Sequence, residues 1–321
     1  MQKNSRNILL DILKIIVAIF VIALHCRFLS DQKEIVYQIF GNGIFKAAIP
    51  LFFCVNGFFL YNVFQRNQIK VWAKRVFILY FVWMLIYSYF WVYLNNFNPI
   101  KTIPILLFGF NHLWYLIALL FAGLILHQLR NISNKVLLIS AIVFYFIGIT
   151  FQYLGKLHVF LQQPMLDKLL NYPPLHRNFL LYALPFVSIG YIIKRTNFHT
   201  KLSKRRVFIL LISSLLLLVL DSLISFYCLT GNVILNMNLS FLLLGPVLLI
   251  SAFKFKITSN LNSELLSKYS IAIYLVHPLI IFLIFNVVAL SITMLTFVTI
   301  ILSLAASYLL IKLNTKLKYI L

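Results

Sequence analysis

Apolar runs of nearly constant length follow one another along the whole chain, separated by short connectors that hold nearly all of the lysine and arginine. Ten runs stand out, at about 8–25, 43–63, 76–94, 113–129, 136–154, 178–194, 207–227, 233–253, 268–285 and 290–311. Each comes near the ~20 residues that a helix needs to cross the hydrocarbon layer of a membrane. With no water there to satisfy the backbone, such runs form helices that bond internally. The pattern predicts an all-α fold: a polytopic transmembrane helical bundle of about ten spans, organised as one integral-membrane domain over 1–321. No internal repeat or low-complexity tract interrupts it.

Composition narrows the reading further. The chain is 62% hydrophobic and 11% charged, against about 45–50% and about 25% for an ordinary soluble domain. A soluble enzyme, a coiled coil and a disordered chain are all excluded. There are 28 lysines and arginines against six acids, a net charge of +22. In a soluble protein that excess would point to nucleic acid. Here the basic residues sit between apolar runs, which is where the positive-inside rule puts them, and no nucleic-acid partner is expected. With the N-terminus inside, the inner segments collect 20 basic residues and the outer ones seven. That split predicts both termini on the cytoplasmic side.

The first run follows Lys3 and Arg6 as the core of a signal peptide would, and Ala23-Leu24-His25-Cys26 resembles a lipoprotein box. His25 is not the small residue such cleavage needs, so the run is expected to stay as the first span. Three isolated cysteines indicate neither a disulfide framework nor a metal cluster, and no metal site is expected.

Ionisable groups within a bilayer are costly and invite a functional reading. The first run carries Asp11, Lys14 and His25. Lys14 and His25 are eleven residues apart, only about 20° past a whole number of helical turns, so they share a face roughly 16 Å apart along the axis. Asp11 and Lys14 are spaced to pair, or to snorkel to the inner interface. His112 opens the fourth run beside Trp114 and Tyr115, a pair that also suits an interfacial belt. His277 precedes Pro278 within the ninth run, where proline frees a carbonyl. Asn56 and Gly57 in the second run suit either close helix packing or a polar cavity. The longest outer connector, Gly155 to Arg177, holds Pro164, Pro173, Pro174 and His176 and is a candidate lip over an outward-facing site. Neutral histidine is the side chain here poised to take a proton from a hydroxyl near pH 7.

Four stretches, in order, resemble the acyltransferase-3 family of integral-membrane acyltransferases. Leu10 to Lys14, ten residues and His25 are similar to the family's opening signature of a basic residue, usually arginine, ten residues and a histidine. Pro50 to Phe58 resembles its PLFFxxSG(F/Y) segment, His112-Leu113-Trp114-Tyr115 its HLW(F/Y), and Ser270 to Pro278 its SxxIYLxHP. The branch of O-acetyltransferases acting on surface or lipid-linked polysaccharides looks nearest. Lys14 departs from the usual arginine and Asn56 from the commoner serine.

The resemblance implies a multi-pass O-acyltransferase of a bacterial cytoplasmic membrane, in contact with membrane lipid. It would move an acetyl or similar group from acetyl-CoA or another acyl-CoA to a sugar hydroxyl of a cell-surface or lipid-linked glycan. Acyl-CoA is then a donor substrate, and no bound cofactor is expected. In that picture His25 is the catalytic general base, and Lys14, paired with Asp11, holds donor charge or the carbonyl. Arg66, Lys70, Lys74 and Arg75 attract the coenzyme A phosphates. Asn56, Gly57, His112, Trp114, Tyr274 and His277 shape the site. The rival reading from the residues is a transporter or flippase of a lipid-linked glycan, for which inverted repeats would be the sign.

Overall fold

The computed structural model describes residues 7–94, 98–229, 234–255 and 257–321; Lys3, Arg6 and Lys256 of the charge count lie outside them. Ten principal helices correspond to the ten apolar runs: α1 (Ile8–His25), α2 (Ala48–Gln65), α3 (Ile69–Ile86), α4 (Trp114–Gln128), α5 (Asn134–Lys156), α6 (Leu184–Arg195), α7 (Lys204–Cys228), α8 (Phe241–Lys254), α9 (Ser263–Val287) and α10 (Ile292–Asn314). No strand occurs among the described residues. Helix starts are written locally: Asn7, Ser133, Ser203, Asn262 and Ser291 precede α1, α5, α7, α9 and α10 and accept an N–H from the first turn. A cap of this kind stabilises a helix by typically ~1 kcal/mol.

Seven helical stretches among the described residues are long and apolar enough to cross a membrane: α1, Glu34–Gln65 (ending in α2), Asn111–Gln128 (containing α4), α5, α7, α9 and α10. The other three differ from the expected spans for visible reasons. α3 reaches back into its basic connector and carries Lys70, Lys74 and Arg75. Tyr87 then separates it from the short helix Ser88–Leu94. α6 has 12 residues and follows the one-turn helix Phe179–Ala183. α8 has 14, because residues 234–240, expected to be helical, are not.

The non-helical stretch before α8 survives in the interior because side chains satisfy it. Gln152 accepts from the N–H groups of Asn236 (2.6 Å) and Met237 (3.0 Å) and donates to the Met237 carbonyl (2.8 Å). The Tyr145 hydroxyl donates to the Asn238 carbonyl at 2.8 Å, and Lys46 donates to that of Leu235. Irregular backbone at membrane depth is tolerated where protein supplies its partners.

Packing sorts the helices into centre and rim. The Glu34–Gln65 stretch is 72% buried, whereas α7 is 22% buried, so α2 is central and α7 faces outward. α2 crosses α6 with the two backbones in contact. A Cβ on Gly57 would stand 2.0 Å from the Val187 carbonyl oxygen, and one on Gly190 2.0 Å from that of Cys54. The rim helices α7 and α10 turn small polar stripes inward: Ser214, Ser222 and Ser225 on one, Thr296, Thr299, Ser303 and Ser307 on the other. Such stripes let helices approach closely where no hydrophobic force separates them from lipid.

Several helix ends meet at one end of the bundle. Asn7 before α1 donates to the Ala252 carbonyl of α8 (2.7 Å), and Ser263 of α9 donates to Asp11 of α1. Arg195 of α6 donates to the carbonyls of Arg130 (3.1 Å) and Ile132 (3.0 Å) beyond α4. These are ends that the charge count puts on the inner side. His25, at the far end of α1, belongs to the opposite half.

Candidate active site

Three histidines from three of the sequence stretches converge. His25 ends α1, His112 stands in the single turn Asn111–Leu113 before α4, and His277 is in the body of α9. The His25 ring lies 5.1 Å from that of His277 and 6.4 Å from that of His112, and the latter two are 5.2 Å apart, centroid to centroid. His112 and His277 are buried, whereas His25 is partly exposed. His25 is thus the most accessible of the three rings. No group of three histidine, cysteine, aspartate or glutamate side chains among the described residues is arranged to hold a metal ion.

Each ring is delivered by local chain chemistry. Gly109 (φ +85°) and Asn111 (φ +49°) adopt the left-handed backbone that glycine and asparagine tolerate best, and they turn the chain so that His112 enters the bundle. The Tyr274 hydroxyl holds the His112 carbonyl at 2.6 Å. In α9, Pro278 supplies no N–H to the helix ladder. One residue on, the Tyr87 hydroxyl enters that ladder, accepting from the Leu279 N–H (3.1 Å) and donating to the Leu275 carbonyl (2.8 Å). Inserting a side chain between two helical partners in this way opens a helix locally. The His277 Nδ1–H donates to the Ile273 carbonyl (3.0 Å), leaving Nε2 as the lone-pair nitrogen of the neutral ring, buried without a hydrogen-bond partner.

A cavity of about 520 Å³ approaches this cluster from the basic end. Arg75, Glu264 and Lys268 line it, as do Asn56, Tyr115 and Tyr274. The Glu264–Lys268 ion pair measures 2.8 Å. Asn56 donates to the Tyr115 hydroxyl and to the Phe52 carbonyl, both at 2.9 Å. The Tyr274 ring of that lining is 5.0 Å from His112, so one aromatic layer separates the cavity from the histidines.

Other expected site residues lie elsewhere. Lys14 pairs with Asp11 at 2.8 Å, and Asp11 also accepts from Ser263; the pair ties α1 to the start of α9 and does not line the cavity. Lys74 is exposed on α3, while its neighbour Arg75 lines the cavity. Gly57 serves the α2–α6 crossing. Trp114 faces a second groove, where the Arg177 guanidinium stacks over its ring at 4.9 Å. Tyr87 and Tyr115 are the residues that sequence reasoning missed. Tyr115 is part of the HLWY stretch, but its bond to Asn56 needs the fold; Tyr87 carries no local signal.

Lys46, one of the seven basic residues on the outer segments of the charge count, is buried and bonded to Asn42 (2.7 Å) and the Leu235 carbonyl. His176 is buried, with Nε2 3.1 Å from the Asn236 amide nitrogen. Burial and the charges of Arg177 and Lys156 push its pKa down to about 4, so it is neutral at physiological pH. Burial also draws Arg177 down to about 10, which leaves it charged.

The family model described as an acyltransferase domain (Acyl_transf_3) matches residues 7–312. Among curated proteins, the chain is 27% identical over 158 residues to an amino-acid racemase of Enterococcus faecalis, covering 46% of this chain and 22% of that protein. It is 24% identical over 231 residues to a serine/alanine racemase of Enterococcus gallinarum, covering 66% of this chain and 32% of that one. The chain therefore spans between a fifth and a third of the length of these relatives. No solved structure matches.

Proposed function

The chain belongs to this acyltransferase family and is a multi-pass membrane protein, and on that premise we propose that it transfers an acetyl or similar acyl group from acyl-CoA to a sugar hydroxyl of a surface or lipid-linked glycan in the bacterial cytoplasmic membrane. The observation that carries the reading is the convergence of His25, His112 and His277 beside the inner end of a cavity that begins at Arg75 and Lys268. A cytoplasmic donor and an acceptor on the other side meet if the thioester arm threads the bundle or if an acyl intermediate relays the group, and the cavity, which ends at Tyr115 and Tyr274 beside the histidines, supports the first route. The racemase names belong to the much longer relatives and are not carried over.

In the proposed reaction, His25 takes the proton of the acceptor hydroxyl as its oxygen attacks the thioester carbonyl. The carbon–sulfur bond breaks, the ester forms, and the proton returns from His25 to the departing thiolate. Placing such a base typically contributes about 10²–10⁴ in rate. His277 backs the His25 ring, its unpartnered Nε2 free to accept an N–H from His25 once an acceptor is bound, and His112 completes the wall. Arg75 and Lys268 attract the donor's phosphates at the cavity mouth, a part assigned to Arg75 by charge and position together. Lys14, neutralised by Asp11, positions α1 against α9. The topology proposed with this reaction has ten crossings and both termini cytoplasmic.

The test is release of coenzyme A from acetyl-CoA by the purified, lipid-reconstituted chain. Release that rises with a hydroxyl acceptor, with matching ester formation, supports the reading. Wild-type protein that binds acetyl-CoA yet forms no ester with any surface or lipid-linked glycan of its host would contradict it.

A further inference from the structure

Arg177 has a setting that the proposed chemistry leaves unused. Its guanidinium stacks on Trp114, and no carboxylate lies within ion-pair distance of it or of the buried Lys46; the ion pairs among the described residues are Asp11–Lys14, Asp167–His158 and Glu264–Lys268. Arg177 is partly buried, and a half-buried cation without a counter-charge is costly unless it has a functional partner. Asn178, the next residue, fixes the backbone beside it, accepting from the N–H groups of Leu180 (2.8 Å) and Leu181 (2.9 Å) and donating to the Leu175 carbonyl (2.9 Å).

Arg177 and Asn178 form the polar end of a groove of about 240 Å³ whose other walls are apolar, among them Leu107, Ile117, Phe121 and Phe179. Leu107 is 61% and Phe121 43% exposed on the outside of a membrane bundle, so the groove opens sideways toward hydrocarbon. An apolar channel closed by one unpaired guanidinium is complementary to an amphiphile with a hydrocarbon chain and an anionic head. Guanidinium matches phosphate oxygens in bidentate fashion, and the stacked indole keeps the fork in place.

We propose that this groove binds the phosphate and adjoining hydrocarbon of a lipid-linked substrate, with Arg177 as the phosphate ligand. The proposal rests on the acyltransferase reading for what the lipid carries: the glycan attached to that phosphate is the acceptor, entering from the membrane and extending toward His25.

The experiment is a binding titration by native mass spectrometry on the full chain in nanodiscs, without acyl donor. The probes are a long-chain polyprenyl monophosphate, the polyprenol of equal length, and inorganic phosphate as competitor. The expected result is binding of the polyprenyl phosphate at least tenfold tighter than the polyprenol, unaffected by inorganic phosphate at millimolar concentration. Arg177→Gln should lose at least tenfold, and Arg177→Lys less. Leu107→Glu, on an exposed wall away from the core, should lose as much as Arg177→Gln, which covers the case in which Arg177→Gln folds poorly. Undiminished binding in both variants, equal binding of the alcohol, or displacement by inorganic phosphate overturns the proposal. The site and the enzyme can fail separately. A chain that binds the lipid phosphate but never forms an ester keeps the site and loses the enzymatic reading. One that acylates glycans equally well with Arg177→Gln loses the site and keeps the enzyme.

Discussion

His25 and His277 bring their rings to 5.1 Å from two helices, α1 and α9, that pack along one another. The partly exposed ring is thereby backed by a buried one whose free nitrogen is set by the Ile273 carbonyl. If His277 orients His25, then His277→Gln, which can still hydrogen-bond, should retain more activity than His277→Ala. The loss should fall on kcat with KM for acetyl-CoA unchanged. Equal activity in the two variants, or a change confined to KM, would remove the orienting role.

Tyr87 links α3 to the break in α9. Tyr87→Phe leaves the Leu279 N–H and the Leu275 carbonyl without the bridging hydroxyl. It should destabilise the protein by about 1–3 kcal/mol and lower kcat several-fold as His277 shifts. Thermal unfolding in detergent and coenzyme A release, measured on the same preparation, check both effects. An unchanged melting temperature with full activity would contradict the account.

The α2–α6 crossing makes a sharper steric prediction. In Gly57→Ala and in Gly190→Ala the added methyl meets backbone oxygen, which cannot swing aside. Each should lose about 1–3 kcal/mol or more and yield little monodisperse protein. Gly245→Ala, whose methyl would meet the Pro50 Cβ at 3.0 Å, should be milder. A normal yield of Gly57→Ala would show that the helices do not approach this closely.

Hydropathy alone located α1 to the residue, because an apolar run capped by Asn7 has one reading. It failed at 234–240, where the run is apolar enough to be helical but Gln152, Tyr145 and Lys46 offer the backbone other partners. Those contacts are long-range and invisible to periodicity. His25, His112, Asn56, Tyr274 and His277 were legible through their motifs. Gly57 was legible only as one of two alternatives, and geometry chose packing. Trp114 lines a separate groove with Arg177, and sequence proximity to His112 does not reveal which side of α4 the indole takes. Arg177 was one charge among several in the count; its lack of a counter-charge appears only in three dimensions.

Two basic positions, Arg75 at the cavity mouth and Lys14 away from it, should separate. Arg75→Gln should raise KM for acyl-CoA several-fold with little change in kcat, since a partly solvated charge attracts the donor without touching the reacting bond. Lys14→Met should instead lower the amount of folded protein, because it strips Asp11 of its ion pair. Lys14→Arg should restore it. Steady-state kinetics with acetyl-CoA as the varied substrate, normalised to folded protein, distinguishes the two. A pure KM effect in Lys14→Met would return Lys14 to direct donor binding.

The central claim is that His25 is the general base. His25→Gln preserves size and hydrogen bonding but cannot take up a proton near neutral pH. The decisive measurement is the rate of acetyl ester formation by His25→Gln in lipid, with acetyl-CoA and a hydroxyl acceptor, normalised to folded protein. A fall to about a hundredth of the wild-type rate or less is expected from the loss of a base. A variant keeping more than about a tenth of the wild-type rate lies above the ~10²-fold minimum for such a loss and would contradict the assignment.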